Sequence, residues 1–316
     1  MKITGTFLDE ISHDIPSQNW GPAEWDRDFC AMKSVGIDTV ILIRSGFRRW
    51  MTYPSAVLAK ERQGFPPPMD LVRLFLDLAE KHQMSFYFGT YDSGEFWHKG
   101  EVEKERDINF KVIEEAWERY GASPAFKGWY LTQEVSRNVW GIINVYSSIG
   151  HFCKEISNGL PVLISPFIEG IKAKQILADG ITPEQHEKEW AEILSGIRGA
   201  VDIVAFQDGH VDFHELVEFL EINQRLTTRY GLECWTNTET FDRDTPIRFL
   251  PIKWEKLKLK LDAAGRAGIE KAITFEFSHF LSPYSCYAQA HGLYNLYREH
   301  YHLLGNTGGC LERTGT

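Results

Sequence analysis

The chain has 316 residues, a formal net charge of −10 and 43% hydrophobic residues. Phosphate backbones repel an acidic surface, so the composition argues against a nucleic-acid partner. No run approaches the roughly 20 apolar residues of a transmembrane helix, so we expect no membrane span. The length suits one (β/α)8 barrel, which needs about 250 residues plus insertions.

Strand-like and helix-like segments alternate along the whole chain. The patterns predict strands at 3–9, 39–43, 85–91, 128–132, 162–165, 202–206, 232–236 and 272–277. They predict helices at about 23–34, 69–82, 102–120, 138–156, 213–230, 253–267 and 288–300, and one more that opens near Thr182, which would cap it, with Pro183 in its first position. Eight such pairs, about 35 to 40 residues apart, predict an α/β fold, a single-domain (β/α)8 TIM barrel.

The predicted barrel covers residues 1–303, and the Gly/Thr-rich tail 304–316 is predicted to be disordered. The alternative, a doubly wound open sheet, usually shows a glycine-rich turn after the first strand, and residues 8–12 do not form one. Segments 47–68 and 241–252 are long and rich in Pro and Arg, so we expect them to wall a cleft.

Cysteine spacing and the first residues bear on the compartment. The five cysteines have no CxxC spacing, which predicts reduced, buried thiols and no zinc site. No charged segment followed by an apolar one precedes the first strand, so we expect no signal peptide and a cytoplasmic protein, unless an export signal has been removed. We expect a monomer or a small homo-oligomer.

Polar and aromatic side chains stand at nearly every predicted strand end, where barrel enzymes place their active sites. Carbohydrate rings stack on aromatic side chains, and their hydroxyls bind amides, carboxylates and arginines. The predicted carbohydrate-binding residues are Asp9, Arg44, Tyr91, Asp92, Gln133, Phe167, Gln207, Asp208, Trp235, Asn237 and Ser278.

Strand alternation indicates which glutamates face the barrel mouth, because successive side chains point to opposite faces. On strand four the more apolar set should pack on helices, which leaves Glu134 pointing inward. On strand seven Glu239 shares a face with Trp235 and Asn237, and on strand eight Glu276 shares one with Thr274 and Ser278. We therefore predict that Glu134, Glu239 and Glu276 converge on one cavity.

Paired carboxyls at a barrel mouth are typical of glycoside hydrolysis, in which one protonates the leaving oxygen and the other acts as nucleophile or base. We predict Glu134 as the general acid/base and Glu239 as the nucleophile of a retaining enzyme. Glu276 either orients Glu239, binds substrate or is itself the second carboxyl. No phosphate-binding glycine motif occurs, so no nucleotide cofactor is expected. No HxxE or HxH spacing supports a tight metal site, so no metal is expected either.

These positions resemble two groups of proteins. The glutamates on strands four and seven resemble those of a large clan of barrel glycosidases, although Gln133 stands where that clan usually has Asn. Segments 128–130, 133–134, 206–209 and 235–241 resemble those of an uncharacterised barrel family described as glycoside-hydrolase-like, domain of unknown function four-four-three-four. The resemblance spans residues 1 to about 300 and implies a barrel glycosidase without fixing a substrate.

Other interpretations remain open at this stage. A divalent-metal sugar isomerase or epimerase would draw its oxygen-rich site from Glu134, Asp208, His210, Glu239 and Glu276. A non-catalytic carbohydrate-binding barrel would use the same surface without chemistry. At single positions, Glu134 could form an ion pair with Arg44 or Arg137, and Asp208 could serve only the turn that it forms with Gly209.

Overall fold

Eight parallel strands close into a barrel. The computed structural model describes residues 1–12, 15–176, 179–244 and 249–303, so the predicted disordered tail lies outside the described residues. Around the ring the strands follow chain order: β1 (Ile3–Leu8), β2 (Thr39–Leu42), β3 (Ser85–Gly89), β4 (Phe126–Leu131), β5 (Val162–Ile164), β6 (Ile203–Gln207), β7 (Glu233–Asn237) and β8 (Lys271–Thr274). The predicted α/β, single-domain (β/α)8 barrel is confirmed.

One long helix follows each strand and packs outside the barrel. The eight are α1 (Pro22–Ser34), α2 (Leu71–Lys81), α3 (Val102–Tyr120), α4 (Ile142–Ile156), α5 (Pro183–Gly196), α6 (Leu216–Tyr230), α7 (Trp254–Arg266) and α8 (Ala288–His300). At the start of α5, Thr182 accepts a hydrogen bond from the Gln185 amide and Pro183 takes the first turn, as the sequence predicts.

The core has two layers, separated by the strands. Inward side chains fill the barrel, and they are Phe7, Ile41, Ile43, Tyr87, Tyr130, Leu163, Ile203, Ala205, Trp235 and Ile273. Outward side chains, such as Trp129 and Leu131 of β4, pack against the helices. This division confirms the predicted inward face of β4, and it makes the barrel a packed core that leaves room for a ligand only at its mouth.

Insertions with regular structure follow three of the strands at this end of the barrel, and the one after β7 lines the cavity. After β2, Gly46–Phe47 and Trp50–Met51 form a hairpin that joins Tyr91–Asp92 in a small sheet, and a helix spans Ala56–Arg62. After β7, Phe241–Asp242 pairs antiparallel with Leu250–Pro251. After β8, a short helix spans Phe277–Phe280. The two segments predicted as long loops thus contain regular structure.

Reduced, buried thiols are predicted at all five cysteines, and this is correct for Cys153, whereas Cys234 is partly buried, Cys286 is exposed and Cys310 lies outside the described residues. Cys153, Cys234 and Cys286 are free thiols, whereas Cys30 is disulfide-bonded, a pairing that no local spacing indicates. Within the described ranges no helix is long and apolar enough to cross a membrane.

Candidate active site

A cavity of about 110 Å³ opens where the barrel strands end. The cavity has an apolar side of five phenylalanine and isoleucine side chains and a polar side of charged and amide groups. The lining residues are Asp9, Ser12, Ile15, Ile43, Arg44, Glu134, Gln207, Asn237, Glu239, Phe241, Arg243, Phe249 and Phe275. Six predicted site residues therefore share one cavity: Asp9, Arg44, Glu134, Gln207, Asn237 and Glu239.

Glu134 enters the cavity three residues beyond the end of β4. Its Oε1 accepts a hydrogen bond of 2.8 Å from the hydroxyl of Tyr130, which stands four residues earlier on the same inward face. Burial raises the pKa of Glu134, and the opposing effects of Arg44 and of hydrogen bonds from Tyr130 and Gln207 only partly offset it. The net shift is upward, which favours a carboxyl that keeps its proton and can give it away.

Glu239 follows β7 and is held as a carboxylate. Arg243 donates to both of its oxygens, with Nε–Oε2 at 2.8 Å and Nη2–Oε1 at 2.7 Å. Burial alone would raise the pKa of Glu239, but the Arg243 charge and hydrogen bonds more than offset it, so the pKa lies below its ordinary value. The carboxylate rests on the backbone of Gly209, where a methyl group would overlap it.

A second ion pair supports Glu239 from behind. Lys260 Nζ lies 2.8 Å from Asp208 Oδ1, and both side chains are buried. The same Asp208 oxygen accepts the backbone amide of Glu239 at 3.1 Å. Asp208 therefore fixes the backbone that carries Glu239 and does not line the main cavity itself, which places it beneath the predicted binding surface.

Asp9 and Arg44 form the opposite wall. Oδ1 of Asp9 accepts the backbone amides of Ile11 and Ser12, while its buried Oδ2 has no hydrogen-bond partner. Arg44 Nη1 donates to Asp92 Oδ2 at 3.3 Å, and its Nε is likewise buried without a partner. Buried polar atoms are normally satisfied, so the two vacant groups provide an acceptor and a donor for a polar ligand.

Two amides complete the polar floor. Gln207 Nε2 donates to the Ser165 carbonyl at 2.6 Å, and Asn237 Nδ2 donates to the Ser165 hydroxyl at 3.0 Å. These bonds orient both amides, and Asn237 Oδ1 remains buried without a partner. Asn237 thus presents a fixed acceptor to the cavity, in keeping with the predicted contact to sugar hydroxyls.

Glu276 does not join the other two glutamates, so the predicted convergence of three is wrong. β8 ends at Thr274, and Glu276 instead caps the helix Phe277–Phe280: its oxygens accept the amides of Ser278 and His279 at 2.7 Å each. It also pairs with the His279 ring and is fully buried. Alternation failed because the barrel takes apolar side chains inward, so Ile273 packs in the barrel interior, Phe275 lines the cavity and Thr274 faces away.

Several predicted binding residues lie outside the cavity. Tyr91 is buried beneath the hairpin, where its hydroxyl donates to the Arg48 carbonyl. Gln133 points away from the mouth and donates to Glu105 Oε1 at 2.8 Å. Ser278 donates to Asp28 at 2.8 Å on the outer side of the barrel. Each follows a strand end on the side opposite to the lining residues.

Three further predicted binding residues, Trp235, Phe167 and Asp92, lie near the cavity without lining it. Trp235 packs inside the barrel against Tyr87 and is only 7% exposed, so it fills the interior and offers no face to a sugar. Phe167 lies beside His210, with ring centroids 5.6 Å apart, and is not part of the lining. Asp92 stands behind Arg44 and accepts from Gly94 and Trp97 as well.

The sequence interpretation named no residue of the segment after β7 as part of the site, although Phe241, Arg243 and Phe249 line the cavity. The available signal was the spacing of Glu239 and Arg243, which stand four residues apart with opposite charge. Segment 241–252 does wall the cavity, as predicted, but no lining residue comes from 47–68.

The residues named for a metal site are arranged differently. Glu239 already binds Arg243 and Asp208 binds Lys260, while Glu276 lies in the helix cap. In the part of the chain that the structure describes, no group of three or more His, Cys, Asp and Glu side chains is placed to hold a metal ion. The geometry therefore does not support the metal-dependent isomerase.

Comparison with known proteins gives one family match. A family model described as "Domain of unknown function (DUF4434)" matches residues 3–287. No curated protein matches.

Solved structures include one close relative. A protein of Bacteroides thetaiotaomicron VPI-5482, described as a "putative alpha-L-fucosidase", is 56% identical with a TM-score of 0.92, over 96% of this chain and 94% of that one. An intracellular xylanase of Thermoanaerobacterium saccharolyticum is 10% identical with a TM-score of 0.52, over 87% of this chain and 85% of that one. A GH2 beta-galacturonidase of Eisenbergiella tayi is 14% identical with a TM-score of 0.52, over 87% of this chain and 43% of that one. The last two share the fold alone.

Proposed function

We propose that this chain, which belongs to the family described as domain of unknown function DUF4434, is a glycoside hydrolase whose two carboxyls are Glu134 and Glu239. Both line one cavity at the barrel mouth, on the fourth and seventh strands of the ring. Glycosidase names among the structural neighbours, including the 56% identical relative, agree with this assignment.

One observation carries the proposal: the two carboxyls have pKa values displaced in opposite directions. Burial raises the pKa of Glu134, whereas Arg243 overcomes the effect of burial and lowers that of Glu239. Between those two values one group is protonated and the other is ionised. This is the division that acid-assisted hydrolysis of a glycosidic bond requires.

The residues can then be assigned to steps. Glu134 donates its proton to the leaving oxygen while a Glu239 oxygen attacks the anomeric carbon, which forms a glycosyl ester and releases the leaving group. Glu134, now ionised, takes a proton from water, and that water hydrolyses the ester with overall retention. Arg243 keeps Glu239 charged, and Tyr130 and Gln207 stabilise Glu134 in its ionised state.

Aryl glycosides with different leaving groups test the role of Glu134. The panel includes α-L-fucosides, because of the printed name of the close relative. Glu134→Gln should lose about 10²–10⁴-fold in kcat on 4-methoxyphenyl glycosides, which need protonation, and much less on 2,4-dinitrophenyl glycosides, which do not. Glu187→Gln, in an exposed ion pair on α5, is the matched control and should leave both rates unchanged. Equal losses of Glu134→Gln on both substrates would remove the acid role.

Chemical rescue tests the role of Glu239. Glu239→Gly should lose turnover, and added azide should restore it with formation of a glycosyl azide, because azide can occupy the space of the missing nucleophile. Rescue without a glycosyl azide product, or no rescue with a folded protein, would contradict the nucleophile assignment. Wild-type protein that binds sugars but never cleaves them would instead support the non-catalytic barrel.

A further inference from the structure

An exposed tryptophan stands in a left-handed backbone conformation on the loop that carries Glu134. Trp140 lies in the loop between β4 and α4, with φ at 53° and 46% of its surface exposed. Gly141 follows with φ at 71° and begins α4. A bulky residue in the left-handed region costs about 1–2 kcal/mol, and glycine would adopt it freely. Nearly half of the Trp140 side chain stays exposed, so its burial does not fully offset the cost of the strained backbone. Such uncompensated backbone strain indicates a functional position.

Trp140 belongs to a cluster of three rings. Its indole meets Trp97 edge-on at 5.6 Å and His98 at 5.0 Å, and the Trp97 and His98 rings stack at 3.7 Å. Trp97 is buried and His98 is exposed, so the cluster has a fixed base and an open upper side. We call these three residues the aromatic shelf. The neighbouring rings partly desolvate His98, which lowers the pKa of its imidazole.

Hydrogen bonds connect the aromatic shelf to the cavity wall. Trp97 Nε1 donates to Asp92 Oδ1 at 2.9 Å, and the other oxygen of Asp92 accepts from Arg44 at 3.3 Å. Arg44 lines the cavity, so the shelf adjoins the site through two fixed contacts. A ligand that fills the cavity and extends past Arg44 would approach these rings.

We propose that the aromatic shelf of Trp97, His98 and Trp140 binds the sugar ring of the leaving group, so that the substrate is an oligosaccharide cut between the cavity and the shelf. The proposal rests on the proposed function. Glu134, the assigned proton donor, stands six residues before Trp140 on the same loop, and a proton donor must face the leaving oxygen. The sugar on that side of the bond is therefore the one nearest to Trp140.

Substrates that share a glycone but differ in the leaving group test the proposal. For wild type and Trp140→Ala, kcat/KM is measured on 2′-fucosyllactose against α-L-fucosyl fluoride, and on xylobiose against xylosyl fluoride. Trp140→Ala should lower kcat/KM about tenfold on the two oligosaccharides, mainly through a higher KM. It should leave kcat/KM on the two fluorides unchanged, because these substrates have no leaving sugar. Trp140→Phe should keep most of the activity. Equal losses on both substrates would overturn the proposal.

Two further measurements distinguish a failure of this proposal from a failure of the proposed hydrolase function. Trp50→Ala removes another exposed tryptophan, whose ring packs on Phe65, and should not weaken oligosaccharide binding. Trp140→Gly should raise Tm while it weakens binding, because glycine relieves the strained backbone. Saccharide binding by calorimetry that depends on Trp140 but comes without cleavage would keep the shelf and refute the hydrolase. A wild type that neither binds nor cleaves these saccharides would refute both.

Discussion

Arg243 is the residue whose removal most directly tests the electrostatic design of the cavity. Arg243→Gln leaves Glu239 with its burial but without its bidentate partner, so the pKa of Glu239 should rise. Because the proposed mechanism requires Glu239 ionised, activity should fall as pH drops through that pKa. The acid limb of the kcat/KM profile should therefore lie at higher pH in the variant than in wild type.

The size of the shift follows from the geometry of the pair. Removing one partner of a buried ion pair costs about 3–5 kcal/mol. The Glu239 side chain is 2% exposed but that of Arg243 is 23% exposed, so water replaces part of its effect and about 2–3 kcal/mol is expected. One pKa unit corresponds to about 1.4 kcal/mol, so the acid limb should move by about 1–2 pH units.

Two variants make the assay specific. Arg243→Lys keeps the charge but loses the two-point contact, so its acid limb should lie between those of wild type and Arg243→Gln. Arg225→Gln removes an arginine from an exposed pair with Glu187, whose side chains are 56% and 38% exposed, and should not move it. An unchanged acid limb in Arg243→Gln would refute the assigned role of the pair.

The contact between Glu239 and Gly209 and the buried pair of Glu276 and His279 give two further tests. Gly209→Ala should fold, since φ at Gly209 is not positive, yet lose about 10²-fold in kcat because the added methyl group displaces the Glu239 carboxylate. Gly265→Ala, in open space on α7, is its control, and equal activity of the two variants would contradict the close contact. The charge of Glu276 overcomes the effect of burial and raises the pKa of His279 to about 9. This pair should therefore stabilise the fold fully below about pH 6.5 and lose up to about 3 kcal/mol as pH rises through 9. Urea unfolding across that interval measures it, and a flat profile that His279→Gln does not alter would contradict it.

How far the sequence predicted the site depended on local backbone regularity. On β4 and β7 the alternation continues into the loop, so Glu134, Asn237 and Glu239 were placed correctly from spacing alone. On β8 the strand stops at Thr274, and the next turn redirects Glu276 into a helix cap. Nothing in the local pattern distinguishes a strand that continues from one that ends two residues earlier.

The sequence by itself determined the repeating strand–helix order, and with it the closed barrel and the end that holds the candidate site, because hydrophobic periodicity and helix caps are properties of neighbouring residues. The tertiary structure decided which polar groups meet. Lys260 reaches Asp208 across 52 positions, Trp97 and Trp140 come from different loops, and Arg243 turns back onto Glu239. Such contacts depend on how separate loops pack over the barrel, and therefore the sequence predicted the positions of Glu134 and Glu239 at the cavity but not the Arg243 pair that lowers the pKa of Glu239.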